Sequence, residues 1–525
     1  MRVFNINKAV GYASSGVEYA QKYRREVFAG IDWVDDQYVF TDYLPTNISV
    51  FTDRLGFDRA QVRWIYHLVT GRETRPSTMT VTRVVAMIGQ PHEAPRPGPG
   101  YLVVALSGTA VHYRIWTLDP PGADRSADPI VDRVELVVGD QLVRVEHYDE
   151  TLDHVEHFHQ GRLVRRVFLT RDGAVAAEQH YRDGEITRTV ITPASPLYQR
   201  PVRRRGAIPS TFRGDVVLEG RSAFFQYVFA RLFDRPDDVV IVDRALDVID
   251  GIYPVIGEHR LYSTVHAEHF DLKQDEDGVL LWNNHYEHVF AHPDLIDGFI
   301  VSTRRQQEVL RRQLARRFPE GGFSVPCIPV GVVAQPAPAP TYDRFALVTA
   351  SRLADEKHLD LLVRAVALAR RQLPDLRLDI FGEGNRERLV AVIEETETQE
   401  CVRLMGHHSL AGTLGEYGLY VSASTSEGFG LSLLEAIAEG LPIVGFDVDY
   451  GNREMVDHGR NGVLLPVPPG DLDDSVAAFA DAIVELVTSD DLDEMRRHSL
   501  RKAEAFTMPR VRERWERLLC EETPC

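Results

Sequence analysis

Residues 419–448 read LYVSASTSEGFGLSLLEAIAEGLPIVGFDV, and this stretch decides the fold. The apolar run at its start predicts a buried strand, TSEGFG a loop, and LSLLEAIAEG a helix that stops at Gly440 before Pro442. PIVGFDV is then the next strand. Strand, glycine loop, helix, strand is the repeating unit of a doubly wound α/β domain, whose ligands bind beyond the carboxyl ends of the strands. Unpaired N–H groups near Gly430 to Ser432 suit an anion. Gly428 and Gly430 admit close backbone approach. Two acids, Glu427 and Glu435, stand eight positions apart. Either they are a helix-capping acid and an exposed one, or they grip hydroxyl groups of a bound molecule.

Working outward, the same rhythm extends through FALVTAS, the helical run LDLLVRAVALARRQL, LRLDIFGEG and VRLMGH. A proline- and alanine-rich segment, VAQPAPAPTYDR, precedes it and reads as a hinge. Upstream, DVVIVDR, RLYSTVHAEH and FIVSTRRQQEVLRRQL carry α/β elements. So do RVFNI, the helix VEYAQKYRREVFAGI and QYVFTDY at the start of the chain. Between these, residues 78–192 are strand-like, from TVTRVVAMI through YLVVALS, VHYRIWTL, DRVELVV, LVRVEHYD, LVRRVFL and AVAAEQHY. Turn pairs at Gly139-Asp140, Gln160-Gly161, Asp172-Gly173 and Asp183-Gly184 mark an antiparallel meander. YQRPVRRRGAIPS reads as its exit linker. The segment MPRVRERWERLLCEE is amphipathic through Val511, Trp515, Leu518 and Leu519 and should dock on a neighbour.

The expected organisation is therefore α/β, two facing Rossmann-like domains with an inserted antiparallel β-meander. Residues 1–77 and 208–335 form the first of these domains, 78–207 the inserted module, 336–508 the second, and 509–525 a terminal amphipathic helix. A net charge of −19 argues against a nucleic-acid partner. No apolar run approaches the roughly 18 residues of a membrane span, and the start lacks a signal-peptide pattern. The four cysteines show no paired spacing and read as reduced thiols of a cytoplasmic protein.

A second candidate group is SRLADEKHLDLL. Arg352 and Lys357 follow the carboxyl end of FALVTA, and Lys357 is one of only five lysines. Two cations there either form surface pairs with Asp355 or Glu356, or neutralise a diphosphate and the charge it gains on leaving.

R-x4-K followed some seventy residues later by E-x7-E resembles the family 4 retaining glycosyltransferases, which have the GT-B fold. NINKAVGYASSGVEYAQ, VHAEHF, STSEGFGLSLLEA, GFDVDYGN and the inserted meander narrow the resemblance. They look like the catalytic subunits that add N-acetylglucosamine to serine-rich repeat adhesins before accessory Sec export. Teichoic-acid α-glycosyltransferases are close relatives. The resemblance implies a UDP-sugar donor (UDP-GlcNAc or UDP-glucose), no cofactor and no metal. It also implies a serine/threonine-rich acceptor protein, a co-activator subunit of the same fold, and a cytoplasmic or peripheral membrane location. The module would bind the partner or an extended acceptor. By the same resemblance Gly16, Val17, Glu18 and Tyr19 approach the nucleotide's phosphates, and His266 contacts the donor sugar. Arg352 and Lys357 hold the diphosphate, and His407 and His408 flank the nucleotide. Glu427, Gly428, Phe429 and Gly430 hold the sugar, and Glu435 the ribose. Catalysis falls to Glu427, Arg352, Lys357 and His266.

Lys8 departs from the family pattern, which has an apolar residue there, and this bears on the acceptor contacts. Asp447-Val448-Asp449 spells a metal-binding DxD but follows a strand of the nucleotide domain, where Asp449 more simply orders the loop through Asn452. Alternative readings are a polyol-phosphate transferase and a non-catalytic co-activator subunit; the second is disfavoured by the presence of Arg352, Lys357, Glu427 and Glu435.

Overall fold

The structure is a computed structural model. It describes all residues except 12–15, 119–127, 199, 201–209, 213, 271–279, 340, 407, 409, 411 and 521–525. Most of the predicted exit linker therefore lies outside the described residues.

The C-terminal half builds a six-stranded parallel sheet. Its spatial order is Val402–Gly406, Arg377–Phe381, Asp343–Ala350, Tyr417–Ser422, Ile443–Phe446, Gly462–Leu465. In sequence rank this is 3-2-1-4-5-6, the doubly wound order, with the direction of winding reversing between Asp343–Ala350 and Tyr417–Ser422. These strands are near-continuous apolar runs because helices cover both faces. Leu359–Ala369 and Val476–Thr488 pack on one side, and Leu431–Ala438 on the other. Tyr420 fastens the switch point. Its buried hydroxyl accepts from the Ala350 N–H at 3.0 Å and lies 2.9 Å from Ser432 Oγ, joining both central strands to the following helix.

A second six-stranded parallel sheet has the order Gly298–Val301, Arg260–Val265, Val239–Val242, Arg2–Asn7, Asp35–Phe40, Val62–Trp64, the same winding pattern. An antiparallel sheet of eleven strands is inserted between Val62–Trp64 and Val239–Val242. It runs in chain order from Arg96–Pro97 to Glu185–Ile191 and ends with Asp215–Glu219 and Ser210–Phe212. The expected turns are present. Gln160-Gly161 and Asp183-Gly184 have positive φ at both residues, and each closes a two-residue hairpin. This is the GT-B architecture with an inserted antiparallel sheet.

Arg72 ties that sheet to the elements before it. Its buried guanidinium donates to the carbonyls of Leu169 (2.8 Å), Leu152 (2.7 Å) and Thr170 (2.9 Å), and to Asp149 (2.8 Å). Beside it, Tyr66 stacks on Phe168 with ring centroids 4.7 Å apart.

One predicted strand is corrected. TVTRVVAMI forms the helix Val81–Ile88. The Thr80 hydroxyl accepts from the Arg83 N–H, and Gly89 at φ +64° ends the helix. Cap and stop residues outweigh the β-branched content, and Val81, Val84, Val85 and Ile88 share the helical face that packs into the sheet's core. Among the described residues Cys327 and Cys401 are free thiols.

The chain folds as two compact units. One comprises Met1–Glu18, Trp33–Ser263 and Asn284–Asp297, the other Tyr19–Asp32, Thr264–Asn283 and Gly298–Cys525. In the second, Met508–Cys520 is the amphipathic helix that buries Val511, Trp515, Leu518 and Leu519. No described helix is long and apolar enough to cross a membrane.

Candidate active site

The two central strands of the C-terminal sheet deliver their following loops to one crevice, as the switch-point rule requires. From the first comes Lys357, from the second Glu427, and the two side chains meet at 2.5 Å (Lys357 Nζ to Glu427 Oε1). They are 15% and 20% exposed, so the pair is largely but not fully withdrawn from solvent. His358, at φ +44°, turns the chain from the Lys357 loop into the helix Leu359–Ala369.

Arg352 behaves differently. Its guanidinium donates to Glu356 at 3.0 Å and is 72% exposed, so here it forms the surface pair that the sequence left open.

The Glu427 loop is held on both sides. Its carbonyl accepts from the N–H groups of Tyr450 (2.8 Å) and Gly451 (2.9 Å). The Tyr450 hydroxyl lies 3.3 Å from Nδ1 of His269, whose Nε2 is 2.8 Å from Gln313. His269 is fully buried, and desolvation pushes its pKa down to about 4, so it stays neutral at physiological pH. On the other side, a Cβ built at Gly428 would lie 2.1 Å from the His266 carbonyl oxygen. Only glycine permits that approach, and it brings the His266 segment against the Glu427 loop.

Gly430, at φ +78°, caps the helix Leu431–Ala438 and leaves its first N–H groups facing the crevice. The Phe429 side chain turns the other way, buried against Phe506 at 5.9 Å between centroids. Of this residue only the backbone is available to a ligand.

Glu435, one turn into the helix, is partly buried, and desolvation is the main cause of its raised pKa. His408 is exposed, its ring 6.3 Å from Phe381. His407 lies outside the described residues. At the start of the chain, Gly16 opens the helix Gly16–Phe28, with Val17 partly buried after it. Glu18 is buried, 3.2 Å from Asn7 and 3.4 Å from Arg244, while Tyr19 is partly buried. Lys8 pairs with Asp247 at 2.7 Å.

Asp447 and Asp449 both bind Arg453, at 2.6 and 2.8 Å, and Asp449 also faces Arg305 at 3.2 Å. Paired this way, the two carboxylates brace the loop whose N–H groups hold Glu427. Among the described residues no cluster of three His, Cys, Asp or Glu is arranged for a metal. Tyr450, Gly451, His269 and Gln313 are supporting residues: the sequence placed Tyr450 and Gly451 only in the loop after Asp449, read His269 as a satisfied core histidine, which it is, and gave no reading of Gln313. The one available signal was GFDVDYGN, legible in sequence only as a loop-ordering motif.

The structure thus brings Lys357 and Glu427 together at the strand-order reversal, while Glu435 stands one turn into the helix that follows the Glu427 loop, against Tyr23. Residues 344–489 match the "Glycosyl transferases group 1" model, and residues 122–189 match the "GtfA extended beta-sheet domain" model. The chain is 35% identical to the UDP-N-acetylglucosamine--peptide N-acetylglucosaminyltransferase GtfA subunit of Streptococcus gordonii, with 99% of both chains covered. It is similar to the crystal structure of the pneumococcal O-GlcNAc transferase GtfA in complex with UDP and GlcNAc, at TM-score 0.88, 32% identity and 99% coverage of both chains. The crystal structure of a GtfA/B complex matches at TM-score 0.86, 33% identity and 99% coverage of both chains. The chain belongs to the GtfA family and is a glycosyltransferase of the GT-B fold.

Proposed function

We propose that the chain transfers N-acetylglucosamine from UDP-GlcNAc, with retention of anomeric configuration, to serine and threonine hydroxyls of a serine-rich repeat protein. It does so as the catalytic subunit of a two-protein complex. The observation that carries this reading is the Lys357–Glu427 pair at the switch point, with Gly428 pressed on His266. The full-length likeness to a GtfA solved with UDP and GlcNAc, and to a GtfA/B complex, supports the donor and the second subunit.

Departure of UDP places negative charge on its β-phosphate, and stabilising that charge is the main electrostatic task. Lys357, paired with the loop that leads into the helix Leu431–Ala438, is the cation for this work. Its ammonium pairs with Glu427, whose carboxylate is the acceptor for the sugar's hydroxyls. Arg352, exposed on a short loop, has only to leave Glu356 to add a second cation. Glu435 accepts from the ribose.

The test incubates the purified protein, alone and with its co-activator subunit, with UDP-GlcNAc or UDP-glucose. The acceptors are a serine-rich peptide, a threonine-rich peptide and a polyol-phosphate polymer, with mass detection of products. The expected product is GlcNAc on the peptides, dependent on the second subunit. Glycosylation of the polymer alone would replace this reading with that of a teichoic-acid enzyme.

A further inference from the structure

Glu435 has a neighbour that the proposed reaction does not use. The helix Gly16–Phe28 places Tyr23 with its hydroxyl 3.4 Å from Glu435 Oε1. The helix cannot rotate freely. Phe28 meets Trp515 edge-to-face at 5.1 Å, and Arg24 lies over the same indole at 5.2 Å. All these residues belong to the same compact unit.

From this geometry we infer that Tyr23 is a positioning residue for the nucleotide's ribose: its hydroxyl occupies one lone pair of the Glu435 carboxylate and fixes the carboxylate's rotation. The inference rests on the reading of Glu435 as the ribose acceptor. A carboxylate that receives two ribose hydroxyls works best when ionised and held in one rotamer. A tyrosine hydroxyl supplies both conditions, because it can donate and carries no charge of its own.

The electrostatics agree. Burial raises the Tyr23 pKa far above the usual phenol value, and the negative charge of Glu435 adds to this, so the hydroxyl keeps its proton. At Glu435 burial pushes the pKa up, and the Tyr23 hydrogen bond and the charge of Lys22 pull it down. Glu439, on the same helix as Glu435, pushes it up. Removing the Tyr23 hydroxyl deletes a contribution that favours the ionised acid, so the pH below which the acid protonates must rise.

The experiment measures the affinities of UDP, 2′-deoxy-UDP and 3′-deoxy-UDP for the full chain and for Tyr23→Phe, by calorimetry from pH 5 to pH 8. Each ratio of affinities is taken within one protein, so a general loss of stability in the variant cancels. The wild type is expected to prefer UDP over the deoxy analogues by roughly tenfold, the loss of one hydrogen bond to a charged group. In Y23F this preference should shrink to within about threefold, and the acid limb of UDP binding should move to higher pH. A wild type that discriminates alongside a Y23F that discriminates equally would overturn the inference and leave Glu435 as the ribose ligand. A wild type blind to the ribose hydroxyls would overturn the reading of Glu435 and the inference with it.

Discussion

Replacing Lys357 by alanine is expected to lower kcat for sugar transfer by about 10²–10³-fold, the typical cost of removing a preorganised group that stabilises developing charge. Circular dichroism should be unchanged, because Lys357 lies on a short loop outside the cores of the C-terminal sheet. A purely structural ion pair predicts something else. In that case the loss comes from leaving Glu427 without a partner, and K357M/E427Q, which removes both charges, should recover activity. The proposed role predicts that this double variant regains thermal stability and stays inactive. Arginine at position 357 should rescue only in part, since a planar fork does not reproduce a compact ammonium. The measurement is initial rate under saturating donor, with product detected by mass.

The second large effect is steric. Gly428→Ala puts a methyl group 2.1 Å from the His266 carbonyl oxygen, 3.1 Å from its carbon and 3.2 Å from Ala267 Cα, all backbone atoms. The obstacle cannot swing aside, so the Glu427 loop or the His266 segment must move. Overpacking of this kind costs about 1–3 kcal/mol, and a displacement of about 1 Å at a reacting centre lowers rates by about 10²-fold. We expect G428A to fold with a modestly reduced Tm and to lose about 10²-fold in kcat/KM. Gly322, with nothing within 4 Å of its Cβ position, is the control, and G322A should match the wild type. Equal activity of G428A and G322A would mean that the close approach at His266 has no part in transfer.

The fold was legible where apolar runs and turn residues spoke together. Strand Tyr417–Ser422, the loop, the helix Leu431–Ala438 and strand Ile443–Phe446 fall where the 419–448 stretch places them. The hairpin turns at Gln160-Gly161 and Asp183-Gly184 were readable because positive φ at consecutive residues restricts the residue types sharply. The helix Val81–Ile88 was hidden by valines that suit a strand as well, and only its caps distinguish it. At the site, residue type and spacing exposed Lys357 and Glu427, a pair formed between strands adjacent in space and seventy positions apart in sequence. Side-chain direction was not legible. Nothing in EGFG says that Phe429 turns into the core, and nothing in RLADEK says that Arg352 selects Glu356. Tyr23 and Glu435 are separated by more than 400 residues, so only the folded chain brings them together.

Every role proposed above requires that the switch-point crevice of the C-terminal sheet bind uridine diphosphate through Lys357 and Glu435. A calorimetric titration of UDP into the intact protein, repeated with K357A and with Glu435→Ala, checks this requirement without any acceptor or second subunit. The wild type should give saturable one-to-one heat, and each variant should bind at least tenfold more weakly, roughly one lost charge-assisted hydrogen bond. Absence of heat in the wild type, or wild-type affinity in both variants, would contradict it.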